Sequence, residues 1–377
     1  MLAPIFVLTQ PFILKHIIFT VTNDLSFDQR MQRICGSLAA NGFTVTLVGR
    51  KLSNSILLIN QPFKQKRLMC WNTTGKLMYL EFNFRLFVHL LFSKTHCICA
   101  IDLDTIIPVY LASKLKFTKR VYDAHELFTE QKEIVTRPAI YKMWLKVEQF
   151  AVPKFKHGYT VNQFIIDELN KRYGVQYKMV RNLPKLNLEK PQPDKSDRFI
   201  IYQGAVNEGR SFETLIPAMK DINARLVVCG NGNFFEQAKK LIKKHKVEHK
   251  VEMKGYVLPQ QLCKITPKAY AAVMLFENTG LNQYYSLANR FFDYINAGIP
   301  QVCVAYPEYE AINDKYGVAY LIYNTNPETI AKAVNNLLSD DVLYQKLQEN
   351  AMKAREELNW SSEEKVLIAF YNQLFHN

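Results

Sequence analysis

Short apolar runs of strand type alternate with segments of helical periodicity from His16 to the end of the chain, and this alternation constrains the fold more than any other feature. Such a series forms parallel sheets covered by crossover helices, so the expected class is α/β. The first cycle sets the pattern. A strand is expected over His16 to Thr22, then a capping box at Ser26 and Gln29, with Met31, Ile34, Cys35, Leu38 and Ala39 on one helical face and Gly42 as terminator. Further strands are expected at Thr44 to Val48, Ile56 to Ile59, Cys97 to Ile101, Arg120 to Tyr122 and Gly158 to Val161. Arg181-Asn182-Leu183-Pro184 and the polar run from Glu189 to Asp197 have the Pro and charge content of a linker. A second series follows, with strands at Phe199 to Gln203, Leu226 to Val228, Val251 to Met253, Ala272 to Phe276, Gln301 to Val304 and Ala319 to Ile322. Late helices should start at Asn326-Pro327 and at a capping box from Ser361 to Glu364.

At 377 residues the chain exceeds the size at which one core usually keeps growing, so two domains are expected, 1–185 and 186–358, with a cleft between them. A composition that is 48% apolar and 12% aromatic excludes a disordered chain. The net charge of +14 favours an anionic partner. Lys and Arg are spread along the whole chain, however, and no zinc-finger spacing, aromatic RNP-type strand or basic zipper is present, so nucleic acid is not expected as a partner. The odd set of cysteines, Cys35, Cys70, Cys97, Cys99, Cys229, Cys263 and Cys303, lies largely in apolar runs and reads as small hydrophobes in a reducing, cytoplasmic compartment. Cys97 and Cys99 would share one face of a strand, but no further metal ligands lie nearby in sequence. The apolar stretch from Met1 to Phe12 lacks a basic leading region and a small-residue cleavage site, and Lys15 and His16 end it before it could span a bilayer.

Ligands of open parallel sheets bind beyond the carboxyl ends of the strands, which directs attention to three places. The strand-loop-helix Tyr202-Gln203-Gly204-Ala205-Val206-Asn207-Glu208-Gly209-Arg210 can bind a diphosphate through backbone N–H groups and a guanidinium. An ordinary turn with a solvated Arg is the competing reading. The second place is Ser286 to Pro300, read as a helix with Ser286 as N-cap and Gly298 as stop. There Leu287, Phe291, Tyr294 and Ile295 should pack on the sheet, while Ser286, Asn289, Arg290 and Asp293 line a polar face. Phosphate would be favoured at its start, and Asp293 two turns deeper could accept from ribose hydroxyls. A wet surface would have the same pattern. The third place is Tyr122-Asp123-Ala124-His125-Glu126, where a strand-end His faces the expected cleft between two carboxylates. Asn23-Asp24, with Asp28 and Arg30, takes the equivalent position after the first strand.

Together these positions resemble the nucleotide-sugar glycosyltransferases with two facing Rossmann-like domains, the GT-B architecture, and more narrowly the retaining group 1 family. The resemblance runs from the Asn23 loop through Asp123-Ala124-His125-Glu126, Asn182, the Gly204 to Arg210 loop, Cys229-Gly230-Asn231-Gly232, Gly255-Tyr256-Val257 and the Ser286 to Pro300 segment to Pro307-Glu308. It implies that Asp293 serves the ribose and Arg210 the donor diphosphate. Gly204, Gly230, Asn231, Gly232 and Tyr256 would lie near the nucleotide, and Ser286, Leu287 and Asn289 would offer donors to phosphate. On the acceptor side it implies roles for His125, Glu126 and Asp24 close to the transferred sugar. No metal or other cofactor is implied, because cationic side chains and helix termini would stabilise the departing diphosphate. The segment 359–377 is similar to the family's C-terminal helix, which crosses back to the first domain. Two departures stand out: Tyr285 occupies the position of the family's first acidic residue, and Thr22-Asn23-Asp24-Leu25 replaces its Gly-rich first loop.

The implied activity is transfer of a sugar from a nucleotide-sugar donor to a glycan or lipid-linked acceptor in cell-surface polysaccharide synthesis. The segment from Lys64 to Lys94 mixes Lys64, Lys66, Arg67, Lys76 and Arg85 with Trp71, Tyr79, Phe82, Phe84, Phe87 and Phe92, a mixture suited to peripheral contact with an anionic membrane, or else to a core helix with scattered charge. Three rival readings exist. A nucleotide-sugar epimerase would turn over without acceptor, a silent glycan-binding scaffold would bind nucleotide weakly, and an NAD-dependent oxidoreductase would need the G-x-G-x-x-G that is missing after the first strand.

Overall fold

The computed structural model describes residues 14–26, 28–193 and 196–376. The apolar stretch from Met1 to Phe12 therefore lies outside the described residues. The first sheet holds seven parallel strands: β1 (His16–Thr20), β2 (Thr44–Arg50), β3 (Lys64–Leu68), β4 (Cys97–Ile101), β5 (Lys119–Ala124), β6 (Gly158–Thr160) and β7 (Lys178–Met179), in the order β3-β2-β1-β4-β5-β6-β7. The second holds six: β8 (Phe199–Gln203), β9 (Arg225–Cys229), β10 (Val251–Gly255), β11 (Ala271–Met274), β12 (Gln301–Val304) and β13 (Ala319–Ile322), in the order β10-β9-β8-β11-β12-β13. In both sheets the strand order reverses beside the first strand, at β1/β4 and at β8/β11, which opens a crevice at the carboxyl ends.

Burial explains why these segments are strands. All of β4 and all of β12 are buried, as expected of central parallel strands covered on both faces. Ile17 and Phe19 of β1 join one core cluster of the first sheet, whereas Ile18 between them joins the other. Cys97 and Cys99 are buried with Phe19 in the same cluster, and all seven cysteines are free thiols.

Four local expectations need correction. Ile56 to Ile59 is not a strand; the edge position belongs to Lys64–Leu68, whose polar residues suit a strand open to solvent on one side. The first helix, α1 (Gln29–Ala40), is capped by Asp28, which accepts from the Met31 N–H, and not by Ser26. The segment read as one helix from Ser286 is two: a short turn at Leu281–Tyr284 and a helix at Asn289–Ala297. Ser286 does not cap the latter, because its hydroxyl donates to the Gln283 carbonyl. The last helix is Trp360–His376, begun one residue ahead of Ser361, with the Asn359 side chain accepting from the Ser361 N–H.

The chain crosses between the sheets twice. Leaving β7, the linker is pinned to the final helix by Glu363, which accepts from the Arg181 backbone at 2.7 Å and from its guanidinium at 2.6 Å. The final helix then packs on the first sheet: Trp360, Leu367, Tyr371 and Leu374 are buried with Phe19 and Tyr159, and the Trp360 indole donates to Ser37 of α1.

Candidate active site

The carboxyl ends of β8 and β9 press two loops together. An ideal Cβ on Gly230 would fall 1.7 Å from the Gly204 carbonyl oxygen, and one on Gly232 would fall 2.4 Å from the Val206 carbonyl, so neither loop tolerates a side chain there. The contact is sealed by Gly204 N–H to the Cys229 carbonyl and Val206 N–H to the Asn231 carbonyl, at 3.0 and 3.1 Å. Gly204 itself has φ of +121°, and Asn231 and Gly232 face solvent at the rim. Tyr256, after β10, is exposed further along the same edge.

Beyond this edge the charge is positive. The Arg210 and Arg290 guanidinium carbons lie 4.1 and 4.6 Å from the centre of the Phe276 ring. Arg290, expected on a polar face with Ser286, Asn289 and Asp293, is buried. It donates to the Tyr202 hydroxyl and the Leu275 carbonyl. Arg210 has no hydrogen-bond or ion-pair partner among the described residues. Burial, and next the Arg290 charge, push its pKa down to about 10, which still leaves it cationic at neutral pH. Beside this pair starts the helix Asn289–Ala297, and the N–H groups of Leu287, Asn289 and Arg290 find no acceptor among the described residues. The approach is shaped by Tyr309, whose hydroxyl accepts from the Ala288 N–H. An anion here would meet two cations and the positive end of a helix dipole.

Asp293, one turn into that helix, accepts from the Gln203 amide at 2.9 Å, and Gln203 accepts from Thr266. Burial raises the Asp293 pKa to about 6 against the pull of Arg33, a residue of α1 on the opposite side of the cleft. Arg33 also donates to Asn182 of the linker, whose amide donates to Asn289.

The facing edge, at the ends of β4 and β5, is organised around His125. Its Nε2 lies 3.1 Å from Asp123 and its Nδ1 3.6 Å from Asp102, while its backbone N–H donates to Asp102 at 2.8 Å. Burial would lower the His125 pKa, but the two carboxylates overcome it and hold the ring protonated, raised to about 9. Asp123 is fully buried and also takes a 2.9 Å ion pair from Arg30. Asp102 is held with φ of +51°, an uncommon conformation for a residue with a side chain. Burial raises Asp102 to about 7 and Asp104 to about 6. Glu126 accepts from Gln131 and, across the cleft, from Asn282 of the second sheet's half at 2.8 Å.

The structure thus brings Glu126, which adjoins His125 in the chain, within electrostatic reach of Arg210, whose charge acts on the Glu126 carboxyl. It does not bring Asp24 there. Both Asp24 oxygens are taken, by Arg67 and the Ser26 N–H on one side and by Ser55 on the other, and these bonds hold it below the usual carboxylate range against the opposing effect of burial. Tyr285 is occupied as well: its ring stacks on Phe164 of the first half, centroids 3.3 Å apart, and its carbonyl accepts from Asn162. Sequence reasoning passed over Asp102, Arg33 and Asn282. Asp102 directly follows an expected strand and was accessible to the same strand-end rule that found His125, whereas Arg33 and Asn282 gain their meaning only from contacts across the cleft.

Residues 185–354 match the family model described as glycosyl transferases group 1. An uncharacterized glycosyltransferase of Methanocaldococcus jannaschii is 27% identical over 182 residues, which are 46% of this chain and 45% of that protein, so the chain matches a little under half of this curated relative's length. Among solved structures, sucrose-phosphate synthase from Thermosynechococcus elongatus superposes with a TM-score of 0.80 at 16% identity, covering 96% of this chain and 99% of that one. Anabaena HepE in complex with UDP and glucose superposes with a TM-score of 0.74 at 11% identity, over 96% and 99% of the two chains. Residues 185–354 are therefore a domain of the glycosyl transferases group 1 family, carried in a chain whose two facing sheets have the GT-B fold of glycosyltransferases.

Proposed function

We propose that the protein transfers a sugar from a nucleotide-sugar donor, bound by the second half, to a glycan or lipid-linked acceptor bound by the first. The observation that carries this reading is Arg210, a largely buried cation without a hydrogen-bond or ion-pair partner among the described residues, set beside N–H groups at the start of the Asn289–Ala297 helix that likewise find no acceptor there, and within reach of the Glu126 charge. A diphosphate supplies the missing countercharge. As the sugar leaves, negative charge grows on the β-phosphate, and Arg210, the Arg290 charge and the helix terminus stabilise it without a metal ion. Asp293 keeps Oδ1 for a ribose hydroxyl while Gln203 holds Oδ2. The loops at Gly204 and Gly230 to Gly232, with Tyr256, edge the nucleotide, and Ser286, Leu287 and Asn289 line its phosphates.

On the acceptor side the protonated His125 is a hydrogen-bond donor and a positive charge, not a base, and its Nδ1–H is the proton open to a sugar oxygen. Glu126 orients an acceptor hydroxyl. Retention of anomeric configuration, a cytoplasmic location and peripheral work at a membrane in cell-surface glycan synthesis complete the proposal. UDP and glucose bound to Anabaena HepE, which shares the fold, make UDP the first nucleotide to try. The test is a thermal-shift screen against UDP, GDP, ADP, TDP and CMP with Asp293→Ala alongside. A shift with one nucleoside diphosphate that the variant loses supports the site; no shift with any of them overturns it.

A further inference from the structure

The helix α2 (Gly75–Phe92) is apolar on two opposite sides. Met78, Phe82, Leu86 and Leu90 repeat every four residues and are buried, the last three in a core cluster of the first sheet. Leu77, Leu80, Phe84, Val88 and Phe92 form a second stripe on the far side, all exposed, Phe92 to 82%. Trp71, just before the helix, is 87% exposed, with the Arg85 guanidinium 4.5 Å from its ring centre. A soluble helix ordinarily turns charge outward on this side. Between α2 and the open edge of β3 lies a groove of about 380 Å³ whose walls include Lys66, Met69, Arg85 and His89.

The charge around this face has one sign. Glu81 is the sole acid between Lys51 and Lys94, against seven Lys and Arg. Its carboxylate is turned back to the chain, accepting from the Trp71 and Asn72 N–H groups and from Arg85. Unlike Arg67 and Arg85, Lys64 and Lys76 have no ion-pair partner among the described residues.

We propose that this face docks on an anionic lipid bilayer, with the outer stripe of α2 in the interfacial region and the β3/α2 groove receiving a phospholipid phosphate. Long apolar side chains ringed by lysines are the combination that lies flat on such a surface. The proposal deepens the lipid-linked acceptor reading and rests on it for its purpose. In a parallel sheet the helix after β3 starts at the carboxyl end, so the first turns of α2 adjoin the cleft, and Asp104 at the cleft acts on the Tyr79 hydroxyl of this helix. A lipid carrier held at this face would present its sugar to His125 and Glu126.

The test is co-sedimentation of the full chain with phosphatidylglycerol vesicles and with phosphatidylcholine vesicles. Binding to the former is expected. Leu80→Ser/Phe84→Ser/Phe92→Ser should weaken it at least about tenfold, and Lys64→Glu/Lys66→Glu/Lys76→Glu should abolish the preference for anionic lipid. Both variants alter exposed side chains outside the proposed nucleotide site and should keep the melting temperature and any nucleoside diphosphate shift of the parent. Failure of the parent to pellet with phosphatidylglycerol, or equal binding by the triple Ser variant, would overturn the proposal. So would a solution dimer that the Ser variant dissolves, which would give the face to a second copy of the chain. Absence of a nucleotide shift would sink the transferase reading and leave the vesicle result standing, so the two failures are distinguishable.

Discussion

The two edges of the cleft handle charge in opposite ways. At the ends of β4 and β5, charges neutralise one another: Arg30 pairs with Asp123, Asp123 with His125, and His125 with Asp102. At the ends of β8 and β11, Arg210 stands beside Arg290 with no ion-pair partner among the described residues. A compensated network holds its shape whether or not a ligand is bound, whereas an uncompensated cation stores affinity for an anion that has yet to arrive. On the proposed reading the first edge positions and the second binds.

Substitutions should separate these two designs. The largest effect is expected from Arg30→Ala, which leaves Asp123 buried without its pair and should cost about 3–5 kcal/mol of stability in chemical denaturation. Arg210→Ala should do the reverse, leaving stability within about 1 kcal/mol of the parent while weakening nucleoside diphosphate binding about 100-fold, read by calorimetric titration. Were Arg210→Ala to unfold the protein, the contrast between the edges would be lost. Gly230→Ala tests the loop contact: separating the Gly204 and Gly230 loops should cost about 1–3 kcal/mol and abolish the nucleotide-dependent thermal shift.

The smallest effect is in pH dependence. The folded His125 pKa of about 9 lies above its ordinary 6.5, so its stabilising contribution is complete below pH 6.5 and disappears as pH rises through 9. The melting temperature should decline over that window by an amount on the order of 1 kcal/mol in stability, and His125→Gln should flatten the decline. An unchanged slope in the variant would show that His125 is not held as the cation of this network.

Much of this arrangement was legible in the sequence, and the exceptions have physical causes. β4, β8, β12 and β13 coincide with their apolar runs because such strands are covered by the fold itself. Ile56 to Ile59 misled because apolarity there is a property of an exposed face, and the true edge strand is polar. The two stripes of α2 cancel each other in any periodicity analysis, so the sequence left a core helix and an outward apolar face as alternatives, whereas the helix has both a buried and an exposed apolar stripe. Ser286 looked like a cap, but a contact from Tyr309, more than twenty residues later, fixes the helix entry. His125 was found because it follows a strand, and its partner Asp123, two residues earlier in β5, was found with it; its other partner, Asp102, comes from the end of the neighbouring β4 and meets it only through the pairing of the two strands.

The return of the final helix bears on the order in which the protein matures during synthesis. Trp360, Leu367, Tyr371 and Leu374 complete the hydrophobic core of the amino-terminal half, so that half stays unfinished until residues 360–374 have been made and released from the ribosome. The carboxyl-terminal half draws its core from 183–358 and can close first. A chain ending at residue 358 would thus hold a carboxyl-terminal half with its core complete and an amino-terminal half still waiting for its last helix.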